Sequence, residues 1–186
     1  FATLFVYVAG SPVIFMEYYK VGPQAYGGIF ALLSIGFIGA SQVNIFLTRK
    51  FRSDKIFKVS LIVQVITSML FFIFVWNNWL GLYSTIGMFF ICLSCVGMMN
   101  PNANALALAP FENNIGSASA LMGCTQIGVA ALASSGVGLF ESVNMLPVVC
   151  LLAITSSIAG LILFFGLRRI GSPIINANAD AGTVAH

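Results

Sequence analysis

The sequence predicts an all-α membrane protein of six transmembrane helices, and three observations carry that prediction. First, of the 186 residues 59% are hydrophobic and only 7% are charged, with a mean hydropathy of +1.00. An ordinary soluble domain carries about 25% charged residues. So little charge cannot cover a water-facing surface, which makes lipid the solvent for most of the chain. Second, six apolar runs succeed one another, each near the ~20 residues that a helix needs to cross a bilayer. Third, the cations are confined: five of the eight Lys and Arg residues fall between Arg49 and Lys58, two are Arg168 and Arg169, and only Lys20 lies elsewhere.

The spans run from Phe1 to about Met16, Ala25 to Leu47, Ile56 to Trp76, Leu82 to Leu108, Ile115 to Phe140 and Pro147 to Leu167. They form one six-helix bundle over residues 1–170. Residues 171–186 are small, polar and aperiodic, and read as a disordered cytoplasmic tail. Punctuation supports these divisions. Pro23 after Gly22, and Pro147, suit first helical positions, where a missing N–H costs nothing. Asn113 and Asn114 offer cap oxygens before the fifth span. Trp76 and Trp79 flank the third connection, where amphipathic rings favour the interface. Phe1 already stands in an apolar run without a basic leader or a small-residue cleavage site, so the chain is expected to start inside or just before a helix, with no signal peptide.

Orientation follows from charge. An even number of passes separates the 49–58 cluster from Arg168 and Arg169, so both lie on one side, the cytoplasm, and Glu17, Lys20 and Glu141 face the other. Both ends of the chain are then cytoplasmic. Pro12 and Pro101 interrupt the first and fourth spans and loosen them locally. Ala31-Leu32-Leu33 with Gly36 and Gly39 in span two is echoed by Ala120-Leu121-Met122 with Gly123 and Gly128 in span five, three spans later. Gly116, Ala120, Cys124 and Gly128 form a stripe of small residues, expected to serve close helix packing.

Several chemistries are excluded. The cation clusters are short and lack interleaved aromatics, so no nucleic-acid partner is expected. The single histidine is His186, and Cys92, Cys95, Cys124 and Cys150 all sit in apolar segments; the Cys92–Cys95 spacing reads as packing, and no metal or catalytic constellation can be assembled. No enzyme is expected. No Asp, Glu, Lys, Arg or His falls near the middle of a span, so a proton carrier, if one is used, lies outside this chain. What remains at depth is neutral: Tyr7, Ser34, Gln64, Thr67, Ser94, Thr125 and Gln126. Each needs a partner or water. Asn100, Asn102 and Asn104 around Pro101 either satisfy carbonyls freed by the proline or meet water at the cytoplasmic mouth. Gln42 and Asn44 are expected to hold the basic loop. The substrate-cavity candidates are Tyr7, Ser11, Ser34, Ser94, Asn100, Asn104, Thr125 and Gln126, with Tyr7 and Gln126 foremost for their size.

Four stretches carry a likeness: Ala9-Gly10-Ser11-Pro12, Gly22-Pro23-Gln24-Ala25-Tyr26-Gly27 leading to Phe30-Ala31-Leu32, Pro101-Asn102-Ala103-Asn104-Ala105-Leu106-Ala107-Leu108, and Gly116-Ser117-Ala118-Ser119-Ala120-Leu121-Met122-Gly123. In order and spacing the chain resembles helices seven to twelve of the bicyclomycin-resistance (Bcr/CflA) drug transporters of the major facilitator superfamily. The basic loop after span two resembles a degenerate copy of that superfamily's cytoplasmic loop motif, lacking its acidic residue and glycine. The resemblance implies one half of a twelve-helix fold with two inverted three-helix repeats. It also implies a bacterial inner membrane, an N-terminal six-helix half as partner, and export of hydrophobic drugs by proton antiport, driven by a proton gradient without a cofactor. A major facilitator importer of a sugar or organic acid, and a non-transporting six-span subunit, remain open alternatives; the lack of Arg or Lys within the bundle disfavours anionic substrates.

Overall fold

The computed structural model describes residues 2–111, 114–138 and 144–169. Every regular element among them is helical: α1 (Ala2–Pro12), continued by a π-helical turn at Val13–Tyr18; α2 (Pro23–Thr48); α3 (Ser53–Trp76); α4 (Leu82–Leu108), closed by a 3-10 turn at Ala109–Phe111; α5 (Ile115–Gly138); and α6 (Leu146–Arg169). Five helices are long and apolar enough to cross a membrane, and Ala2–Tyr18 is a shorter apolar helix. The chain is thus an all-helical, multi-pass membrane protein. The 171–186 tail and Asn113 lie outside the described residues.

Local chemistry accounts for the starts and stops. Pro23 takes the first position of α2, and the Tyr26 amide donates to the Gly22 carbonyl at 2.9 Å. Asp54 stands in the first turn of α3, where the helix dipole favours a carboxylate. Lys20 and Asn78, with φ of 55° each, turn the chain after the π turn and after α3. The two prolines behave differently. After Pro12 the α1 helix widens, and the Tyr19 amide reaches back five residues to the Ile14 carbonyl at 3.0 Å. At Pro101 α4 continues unbroken to Leu108. There the Asn102 side chain donates to the Met98 carbonyl at 2.8 Å, the kind of replacement bond that lets a spanning helix tolerate proline.

The packing repeats itself. α2 packs on α4, and α5 on α1; α3 packs on α4, and α6 on α1; α3 and α6 pack on each other, as do α1 and α4. Exchanging α1, α2 and α3 for α4, α5 and α6 maps this set onto itself. The sequence keeps the same register: Pro12 and Pro101 stand 89 positions apart, and so do Gly27 and Gly116, Ala31 and Ala120, Ile38 and Ile127, and Gly39 and Gly128. Successive spans alternate in direction, so a shift of three helices reverses it, as an inverted repeat requires.

The core gathers around α1 and α4, with Val6, Ile14, Phe15, Leu33, Phe71 and Phe89 all buried. The Phe71 and Phe89 rings meet edge-on at 4.9 Å, a favourable aromatic geometry. Glycine sets the closest approach. A Cβ on Gly97 would overlap the Phe37 carbonyl oxygen, so α2 and α4 touch backbone to backbone there. The small-residue stripe of α5 departs from expectation. Gly116, Ala120, Cys124 and Gly128 are exposed, and a Cβ at Gly116 or Gly128 would meet open space. α5 seats its opposite side on α1 and leaves the stripe facing outward.

Candidate functional site

Two sets of side chains bridge helices on either side of the α1–α4 centre. On the side nearer the α1–α2 turn, Tyr7 and Ser11 of α1 are four residues apart and share a face, as do Tyr26 and Phe30 of α2. The Ser11 and Tyr26 hydroxyls lie 2.9 Å apart, and Ser11 also donates to the Val8 carbonyl at 3.2 Å. The Tyr7 ring stacks on Phe30 at 6.0 Å and meets Phe89 at 5.2 Å. Tyr7 is only 3% exposed, and its hydroxyl has no hydrogen-bond partner among the described residues. Phe30, 36% exposed, covers it. Nearby, the Tyr19 hydroxyl donates to the Leu80 carbonyl at 3.3 Å and lies 2.7 Å from Thr85 Oγ1, tying the end of the π turn to the start of α4.

On the side nearer the basic turn at 49–58, Asn100 and Asn104 share a face of α4 and are half-buried. Asn104 Oδ1 accepts a hydrogen bond from Gln126 Nε2 of α5 at 3.0 Å. Asn102 points elsewhere. Fully buried, it donates to Asn44 Oδ1 of α2 at 2.6 Å as well as to Met98. Two of the three asparagines therefore divide the work: Asn102 serves both the proline region and α2, and Asn104 serves α5. Asn44 holds α4 rather than the basic loop.

The other polar residues at depth bond elsewhere. Ser94 donates to the Gly36 carbonyl at 3.3 Å, joining α4 to α2. Ser34 donates to the Phe30 carbonyl of its own helix at 2.8 Å. Thr125, exposed, bonds to the Leu121 and Met122 carbonyls. Gln64, 1% exposed, reaches Ser156 of α6 at 3.5 Å behind the centre, leaving its carbonyl oxygen without a partner among the described residues. The structure thus joins Ser11 to Tyr26, Tyr7 to Phe30, and Asn104 to Gln126; it does not bring Ser34, Ser94 or Thr125 to either bridge by a side-chain bond. Sequence reasoning missed Tyr26 and Phe30, whose four-residue spacing was the available signal. No charged side chain takes part in either bridge, and no group of acidic, His or Cys residues fit to hold a metal occurs among the described residues. What the two bridges combine is apolar and aromatic side chains with neutral hydrogen-bonding groups.

The sequence matches that of an uncharacterized MFS-type transporter, YdgK, of Bacillus subtilis (strain 168), with 27% identity over 168 residues, 89% of this chain. The chain spans 40% of that relative's length. No protein-family model matches the sequence, and no solved structure does. Five bilayer-length helices and this likeness together support a membrane transporter similar to those of the major facilitator type.

Proposed function

We propose that the chain is the C-terminal six-helix half of a major facilitator transporter of the Bcr/CflA type, which exports small hydrophobic, drug-like compounds from a bacterial cell by proton antiport. The observation that carries the reading is the match to an MFS-type transporter along 89% of this chain but only 40% of the relative. The exchange symmetry of the packing supports it, since three-helix repeats related in this way build each half of such transporters. So does the outward-facing stripe of α5, a smooth surface suited to an N-terminal half. In this reading the protein lies in the inner membrane with both ends of the chain cytoplasmic. The proton gradient is the only energy source, and the proton carrier is in the missing half. Neutral bridges around aromatic rings suit apolar and weakly polar substrates rather than anions.

Membrane vesicles carrying the longer native chain test this reading. Dye export driven by a proton gradient is expected, and the 1–186 segment alone is expected to insert without exporting. Gln126→Ala is expected to change the ranking of substrates at unchanged protein level, because a lost hydrogen bond matters only to substrates able to form it. Tyr7→Ala is expected to weaken export of flat aromatic compounds more than aliphatic ones, either directly or by loosening Phe30. Absence of gradient-driven export by the longer chain, or export by the segment alone, contradicts the proposal.

A further inference from the structure

The basic end of the bundle has a surface that the transport reading leaves unused. Arg49, Lys50, Arg52, Lys55 and Lys58 stand against a single acid, Asp54, leaving a net of four positive charges within ten residues, 49–58. The structure divides them. Asp54 Oδ1 lies 3.4 Å from Arg52 Nε and its Oδ2 3.6 Å from Lys58 Nζ, so two cations are held by the carboxylate. Arg49, Lys50 and Lys55 are exposed and have no acidic partner among the described residues; Arg49 rests over the Phe46 ring, 5.8 Å from its centroid. Phe46 and Phe51 flank the turn at 65% and 55% exposure. Lys55 also heads an apolar stripe on α3. Val59, Ile62 and Ile66 follow it at spacings of four, three and four residues, exposed by 60%, 56% and 54%. α3 buries its other side against α4 and α6.

We propose that this surface binds an anionic phospholipid. Lys50, Lys55 and Arg49 hold the phosphate, and the acyl chains lie along Val59, Ile62 and Ile66. A free phosphate would use the cations alone; the apolar stripe continuing from Lys55 favours a lipid. Juxtamembrane clusters of this size attract anionic headgroups by charge, and the exposed rings and α3 stripe add a fixed place for the tails. The inference stands independently of what the transporter carries.

The test uses the longer native chain, purified in mild detergent and exposed to dioleoyl phosphatidylglycerol, to dioleoyl phosphatidylcholine, or to water-soluble glycerol 3-phosphate. Bound lipid is read by native mass spectrometry. The wild type is expected to retain the glycerol lipid on the order of tenfold over the choline lipid. Lys50→Gln with Lys55→Gln, which keeps Arg49, Arg52 and Lys58 for orientation, is expected to bring that preference within about threefold. Lys20→Gln, at the opposite end, is expected to leave it unchanged. Val59→Asn with Ile66→Asn is expected to reduce retention of the glycerol lipid while melting stays near wild type. Equal retention of the two lipids by the wild type, an unchanged preference in the double lysine variant, or competition by glycerol 3-phosphate at lipid-like concentrations overturns the proposal.

Discussion

Gly97→Val is expected to lower both the melting temperature in detergent and the membrane level of the protein more than any other glycine replacement in α4. The new side chain would begin inside the van der Waals surface of the Phe37 carbonyl oxygen, and backbone cannot rotate away as a side chain can. Overpacking a fitted interface costs about 1–3 kcal/mol, and a backbone obstacle places this change at the upper end of that range. Two comparisons isolate the cause. At Gly36 the obstacle is the Phe90 ring, 2.6 Å from a built Cβ, which can turn aside, so Gly36→Ala is expected to cost less. At Gly87, on the same helix, a Cβ meets nothing within 4 Å, and Gly87→Val is expected to change stability by no more than about 0.5 kcal/mol. Thermal unfolding of the three variants, followed by fluorescence, gives the order. A Gly97 variant as stable as the Gly87 variant would show that α2 and α4 do not meet at Phe37.

The second large effect concerns the Asn44–Asn102 pair. Both residues are buried, and 2.6 Å separates the donor of one from the acceptor of the other. Asn102→Leu leaves Asn44 Oδ1 facing an apolar side chain and is expected to cost about 1–3 kcal/mol. Interhelical hydrogen bonds in membranes average only about 0.6 kcal/mol, so most of the loss comes from the orphaned partner rather than from the bond. The double replacement Asn44→Leu with Asn102→Leu is therefore expected to be less destabilising than the sum of the two single changes. A double-mutant cycle on melting free energies measures the difference; strict additivity would mean that the two side chains do not interact.

Helix existence and boundaries were legible because each rests on a composition contrast. α4 begins at Leu82 and ends at Leu108, as the apolar run and its flanks indicate, and α3 ends at Trp76. Helix rotation was not legible. A helix apolar on every side gives no stripe that distinguishes lipid from neighbour, so Gly116 and Gly128 of α5 read as a packed face although they point outward. For the same reason Asn100, Asn102 and Asn104 could not be told apart: Asn102 turns to α2 and Asn104 to α5, a choice set by the rotation of α4 against its neighbours. The π turn after Pro12 had no counterpart at Pro101, although both prolines carry the same local signal. The repeat was visible in two triplets, and its register emerged once the packing pairs paired α1 with α4.

The proposed arrangement, six passes with the basic end inside the cell, is measured most directly by cysteine accessibility in intact cells. In a cysteine-free background, Gly22→Cys sits in the turn before α2, where a Cβ meets nothing within 4 Å, and Ser53→Cys sits at the start of α3, beyond the basic turn. A membrane-impermeant maleimide is expected to label position 22 from outside and to reach position 53 only after the membrane is permeabilised. Labelling of position 53 in intact cells with position 22 protected would contradict the account.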